Sequence, residues 1–357
     1  MVHRLIRILI AAIIGVLAAA AWPVQAAELP SLYRGVRPMG MGGAFLTLSD
    51  DANAPFYNPA GLNDVREWKI ALIDPLVEWN PGVRALYQDL QDLEGQNVVQ
   101  VAQFLNANVG QFRHVRAAAT PSVVLHNFGI VGLGQGTLDL EIRNPVFPEV
   151  AADLHVETGA LIAAAFGVGG RTLQVGATAE FVTRQGIQRT YTALDVSGGN
   201  FDPADEDLER ASDVAFGIGV KLNPPLPLSP TFAFVAQHIG DLDFDALGVI
   251  PQQYNAGLAV NPVLGPLGVT VAAQVDDLTR AAGTDDDIFK RTRLGVEVRF
   301  PKILSVRAGA YQGYATAGAT LDFWLLRFDA ATYAEELGLE AGQRPDRRYM
   351  VQLSLGF

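Results

Sequence analysis

The last nine residues, Tyr349-Met350-Val351-Gln352-Leu353-Ser354-Leu355-Gly356-Phe357, alternate without a break. Tyr349, Val351, Leu353, Leu355 and Phe357 fall on one side, and Met350, Gln352, Ser354 and Gly356 on the other. A period of two marks a β-strand with one apolar face. Such a strand must pair along its length and set that face against something greasy. The chain is therefore held to a β architecture, with this segment either the edge of a sandwich or the closing strand of a barrel.

The start of the chain narrows the setting. His3, Arg4 and Arg7 precede an apolar run from Ile8 to Ala21 and a small-residue site at Val24-Gln25-Ala26, so 1–26 is expected to be a secretory signal peptide. Hydrophobic residues make up 49% of the sequence, yet beyond residue 26 no uninterrupted apolar run approaches the ~20 residues of a spanning helix. Export without a helical anchor leaves periplasm, outer membrane or medium. The chain has no cysteine, which excludes disulfides and thiolate metal sites. A formal net charge of −12 argues against a nucleic-acid partner.

Fourteen candidate strands follow Asn63: 66–80, 113–126, 128–142, 153–167, 171–185, 209–222, 230–240, 252–261, 267–277, 290–300, 302–311, 314–323, 325–334 and 347–357. The even-numbered links between them are short. The odd-numbered links, among them 81–112, 143–152 and 186–208, are mostly long. An even-stranded membrane barrel sorts its turns and loops in this way, and a sandwich has no reason to. The fold class expected is all-β, a transmembrane antiparallel barrel of about fourteen strands occupying 65–357. Within it, apolar spacing over 84–109 predicts a helical insertion in the first external loop.

Faces along the strands agree. In 291–300, Leu294, Val296, Val298 and Phe300 oppose Arg293, Glu297 and Arg299; in 302–311, Arg307 opposes Val306 and Ala308; in 173–184, Glu180 and Arg184 oppose Phe181. Charges on one face and methyl groups on the other require two different media. Glu180, Arg184, Arg293, Glu297, Arg299 and Arg307 are thus expected to face a polar lumen. Trp68 and Trp79 have opposite parity in the first strand and share the lipid face only if Asp74-Pro75 introduces a bulge. Gly132, Gly134 and Gly136 are expected to thin the lumen wall. Pro121 interrupts the second strand and is expected to mark a local kink or gap, because proline cannot donate to a ladder.

Two resemblances now add to this reading. A strand ending the chain on an aromatic residue resembles the closing strand of outer-membrane barrels; the resemblance implies that Tyr349, Val351, Leu353, Leu355 and Phe357 form the signal read by the barrel-insertion machinery. The segment 27–64, with Gly40-Met41-Gly42-Gly43-Ala44-Phe45 and Asn58-Pro59-Ala60-Gly61-Leu62, resembles the amino-terminal region of FadL-type hydrophobic-compound transporters and their PorV-like and TraF-like relatives. That implies a hatch plugging the lumen from the periplasmic side, with Gly40, Gly42, Gly43, Phe45, Asn58, Pro59 and Ala60 as its motif. It also implies that Pro121 marks a kinked strand releasing ligand sideways into the bilayer.

The resulting expectation is an outer-membrane barrel of a Gram-negative-type bacterium that transports hydrophobic small molecules such as long-chain fatty acids. Its partners are membrane lipid, the insertion machinery and an apolar ligand. A structural, secretion- or conjugation-associated barrel that binds a protein partner stays open beside it, and Arg307-Ala308-Gly309-Ala310-Tyr311-Gln312-Gly313 leans that way. No catalytic constellation, cofactor motif or metal-ligand spacing appears: His114, His126, His155 and His238 are scattered, and the acidic stretches read as solvated loops.

Overall fold

The computed structural model describes residues 28–66, 68–83, 93, 96–198, 208–281, 287–301, 303–323 and 325–356. The signal-peptide expectation for 1–26, the helical expectation over 84–92 and the terminal Phe357 lie outside these residues.

Fourteen antiparallel strands close into one barrel. β1 runs in two segments, Lys69–Ile73 and Leu76–Trp79, and β2 likewise, Phe112–Ala119 and Ser122–Leu125. Then come β3 (Phe128–Arg143), β4 (Glu149–Val168), β5 (Leu173–Thr192), β6 (Glu209–Leu222), β7 (Thr231–Ile239) and β8 (Gln253–Val260). β9 (Leu267–Val275), β10 (Thr292–Arg299), β11 (Leu304–Tyr311), β12 (Tyr314–Phe323), β13 (Leu326–Glu336) and β14 (Pro345–Gly356) complete the wall. β14 returns to β1 through Tyr349↔Trp79, Gln352↔Leu76 and Ala71↔Gly356. Closure satisfies every strand edge, which a sheet in hydrocarbon requires.

Alternation sorts the side chains as the sequence implies. Phe216, Ile218, Phe232, Phe234, Leu258, Val271, Leu294, Val296, Phe328 and Leu353 are exposed on the outer face. Their strand neighbours Arg293, Glu297, Thr270 and Gln274 are buried on the inner one. An outer surface of this apolarity is stable against lipid. Trp79 stacks on Tyr349, ring centroids 6.1 Å apart, and Trp68 is 73% exposed. The β1 register shifts between Ala71 and Ile73, which carries the chain past Asp74-Pro75 and brings both tryptophans outside.

Two sequence expectations need correction. β4 and β5 are 20 residues each, so the β3–β4 link shrinks to 144–148 and is not a long loop. The extra length stands because the helix Val98–Ala107 lies on its outer face: Val101 and Leu105 pack with Leu140, Ile142, Val150, Ala152 and Tyr191. Asn97 caps that helix, accepting from the Val99 and Gln100 amides at 3.1 Å. Gly132, Gly134 and Gly136 alternate with the buried Val131, Leu133 and Gln135, so they thin the outer surface, not the lumen wall.

Candidate functional site

Residues 28–66 lie inside the ring of strands and touch it on opposite flanks. Gly42 and Gly43 take left-handed φ values of 63° and 79°, open to glycine at little cost. The turn they form rests on bare wall backbone. A Cβ on Gly295 would sit 2.3 Å from the Met41 carbonyl oxygen, and one on Gly309 would sit 2.8 Å from the Gly42 nitrogen. Gly295 and Gly309 are ladder partners, and Gly40 meets Gly318 on the next strand. Phe45 is fully buried beyond the turn, and its amide donates to Gln274 Oε1 at 3.0 Å.

Asn58-Pro59-Ala60 occupies an equivalent seat across the lumen, on the paired Gly176 and Gly219. The Asn58 side chain holds the corner by accepting from the Ala60 amide at 3.1 Å and donating to the Leu46 carbonyl at 2.9 Å. That caps the 3-10 helix Pro59–Asp64. All seven motif residues singled out in the sequence are therefore wall contacts or turn positions of this inner segment.

Ion pairs fix one flank. Arg37, on the short helix Val36–Gly40, makes a bidentate pair with Glu297 at 2.9 and 2.9 Å. It also reaches Asp50 at 2.6 Å and Asp51 at 2.7 Å. Burial pushes the Asp50 and Asp51 carboxyls up, but Arg37 together with Lys69 and neighbouring arginines holds both below the ordinary aspartate range. Arg307 joins Glu297 at 2.6 Å and the Thr320 hydroxyl at 2.7 Å, while Arg299 contacts Asp50 at 3.3 Å.

Of the six polar residues expected in the lumen, Glu297, Arg299 and Arg307 thus meet around Arg37. Glu180 pairs instead with His238 at 2.7 Å. Arg184 donates to the Leu247 carbonyl at 3.0 Å and stacks over Phe244, in the 240–252 loop that dips inward on Leu242, Phe244, Leu247 and Ile250. Arg293 pairs with Asp276 at 3.0 Å and lies 3.9 Å over the Tyr311 ring. Sequence reading missed a second cluster: Glu78 accepts from Arg116 at 2.9 Å and from the Tyr333 hydroxyl at 2.5 Å, with His114 at 3.1 Å. The parity that exposed Glu297 was present there too, but the prolines in β1 and β2 obscured it.

A third stretch of the wall is interrupted. Asp74-Pro75 breaks β1 and Thr120-Pro121 breaks β2 at one level. In place of a ladder bond, the buried Asp74 carboxylate accepts from the Thr120 amide and hydroxyl, each at 2.7 Å. Pro121 itself points outward, and β2 keeps its register with β3 across the break, the Gly132 amide donating to the Pro121 carbonyl at 2.8 Å. The irregularity therefore lies between β1 and β2, not between β2 and β3. Behind it a cavity of about 420 Å³ separates the inner segment from the wall, lined by Tyr33, Ala71, Asp74, Ser122, Leu325 and Gly356 among others. At the far end of the seam, Tyr349, Val351, Leu353 and Leu355 share the outer face of β14. Among the described residues no group of three or more acidic or histidine side chains is placed to hold a metal.

No family model matches the sequence, and no curated protein matches it. Solved structures do. The barrel is similar to a Pseudomonas aeruginosa FadL homologue, with TM-score 0.53 and 12% identity over 93% of this chain and 99% of that one. It is also similar to the CymD monoaromatic hydrocarbon channel, with TM-score 0.51 and 11% identity over 93% and 97%. A deletion mutant of the TodX monoaromatic hydrocarbon channel gives TM-score 0.51 and 11% identity over 90% and 98%. At these identities the likeness is one of fold.

Proposed function

We propose that this protein is an outer-membrane channel for small apolar molecules, in which residues 28–64 act as a lumen hatch and the β1–β2 seam is the side exit. The observation that carries the reading is the coincidence of the doubly interrupted wall with the cavity of about 420 Å³ on the hatch side of it. A ligand held there leaves into lipid without crossing water, which an apolar solute favours by roughly 25 cal/mol per Å² of its surface. The fold shared with hydrocarbon channels supports it. Long-chain fatty acids, expected from the sequence resemblance, are one substrate class within this proposal. Pro121 belongs to the exit as the proline at the break in β2, next to Thr120, whose amide turns to Asp74 of β1.

Uptake of labelled toluene and of a labelled long-chain fatty acid by cells carrying the barrel tests it. Uptake of at least one above that of cells lacking the barrel is expected; uptake of neither sinks the channel. A partner-binding barrel is then the better reading, and the dense ion-pair packing of the lumen around Arg37 and Glu78 favours it.

A further inference from the structure

We propose that the periplasmic mouth of the lumen, on the β5–β10 side, is a docking site for an acidic segment of a periplasmic protein. The short links 169–172 and 223–230 mark that end of the barrel as periplasmic. Between them and Thr47 and Leu48 of the inner segment lies an open cavity of about 760 Å³. Its charged lining is Arg66, Lys69, Arg171, Lys221 and Arg299 against Asp50 and Asp64. The sign is the reverse of the chain's formal net charge of −12. It is also the reverse of a cavity of about 390 Å³ at the external end, where Glu28, Asp139, Glu141 and Asp153 face Arg143, Arg189 and His155. Both carboxylates of the mouth already have cations. Asp64 accepts from Lys221 at 2.6 Å and from Gln174 at 2.7 Å, and Asp50 from Arg37 at 2.6 Å and Arg299 at 3.3 Å. Arg171, 4.0 Å from Asp64 and 40% exposed, and Lys69, which donates to the Asp50 carbonyl at 3.2 Å, bring charge beyond what those acids balance, as does the exposed Arg66. Positive charge lining a concave mouth draws an anion more strongly than the same charges on a flat surface.

The lip of this mouth adds apolar contact. The link 223–230 carries Pro224, Pro225, Pro227 and Pro230, and its Leu226 and Leu228 are 57% and 61% exposed. Leu228 takes a φ of 65° and Ser229 one of 44°, which residues other than glycine rarely adopt. Asn261 holds both, its amide donating to the Leu228 carbonyl at 2.8 Å and its side chain to the Ser229 carbonyl at 3.0 Å. Pro224, Pro225, Ser229 and Pro230 of the same link line the cavity, so the two leucines stand beside the cations on a preset turn. The cations come from the approach to β1, the 169–172 link, β6 and β10. Distributed over four elements around a cavity of this volume, they suit an extended acidic segment with apolar side chains better than one small ion. The mouth shares Lys69 with the seam cavity and needs no solute to cross the barrel.

The test uses purified full-length protein in detergent and two short fluorescent peptides, one built of Glu, Asp and Leu and the other its counterpart with Gln and Asn in place of the acids. The acidic peptide binds the more tightly, and its affinity falls as salt is raised. R66Q combined with R171Q lowers that affinity about 2- to 10-fold, the worth of two exposed charge pairs, and L226S also weakens it. R210Q, which removes an exposed cation at the external end of β6, does not. Migration of each variant before and after boiling confirms that the barrel has formed. Equal binding of the two peptides, or an acidic-peptide affinity unmoved by R66Q with R171Q, overturns the proposal. Phosphatidylcholine nanodiscs with and without phosphatidylglycerol, and inorganic phosphate added at matched ionic strength, decide the source of the anion. Acidic-peptide binding that survives both supports a protein partner, whereas its loss to either assigns the mouth to a lipid headgroup or a free ion and overturns the docking site.

Discussion

The inner segment meets its two flanks in opposite ways. Against β10–β12 it lies backbone on backbone, with Met41 and Gly42 on Gly295 and Gly309, and Arg37 fastened to Glu297. At the level of the breaks in β1 and β2, and beside β14, a cavity intervenes and a carboxylate takes the Thr120 amide, while farther along the same strands Arg116 holds the Arg34 carbonyl and Arg348 pairs with Glu28. Glycine recurs where the wall must come close, and proline where it is interrupted. The difference separates an anchor from a gap: the inner segment is held at its glycine seats and ion pairs and leaves space at the level of the breaks.

The largest effect is expected on the anchor. R37A leaves the buried Asp51 without its cation and takes one cation each from Glu297 and Asp50, a loss of about 3–5 kcal/mol of local stability. The inner segment should then become sensitive to protease while the strands stay formed, and planar-bilayer recordings should show larger and noisier current. Protection unchanged from wild type would mean that the glycine seats alone hold the segment. Acid should mimic the variant. Asp50 and Asp51 have folded pKa values below their unfolded ones, so their contribution is complete above roughly pH 4 and is lost as pH falls further toward the folded values. Protection at pH 5 and pH 8 should therefore be equal, and at pH 3 reduced.

Next in size, G295A puts a methyl 2.3 Å from the Met41 carbonyl, and overpacking of this kind costs about 1–3 kcal/mol. Its thermal midpoint in detergent should fall, and the same change should not widen the seam. D74A strips the Thr120 amide of its acceptor at a cost of about 1–3 kcal/mol, spent where the wall is already irregular. Faster entry of an apolar dye into liposomes, with the inner segment still protected, is the expected signature. Equal entry would place the exit elsewhere. G132A, on the outer surface of β3, should change stability by no more than about 0.5 kcal/mol. A larger effect would show that the outer face at the break is tightly filled.

Much of this was legible in the sequence because alternation is a local signal. The parity of Leu294 and Glu297 is readable from eight residues, and so is the closing strand. Strand ends were less legible: Glu149 to Ala152 and Gly186 to Thr192 read as loop, since the helix Val98–Ala107 that covers them lies outside any local window. The seats on Gly176, Gly219 and Gly295 were not legible at all. A glycine's alternation says which way it faces but not what approaches it, and the approach comes from a segment more than a hundred residues away. For the same reason the break was expected from Pro121 alone, whereas β1 is interrupted at the same level and the Thr120 amide finds its acceptor in Asp74, 46 positions away.

The β1–β14 closure has a consequence for assembly. Asp74 and Gln352, which face each other across it, are separated by 278 positions. Bringing ends so distant together carries a loop-closure entropy of about 5 kcal/mol by the logarithmic law. Nearly every other ladder joins neighbours in the chain, so these strands zip first and this one last. The stretch of wall with the fewest regular bonds is thus also the final one to be made, and in any thermal opening of the finished barrel it is the first expected to part.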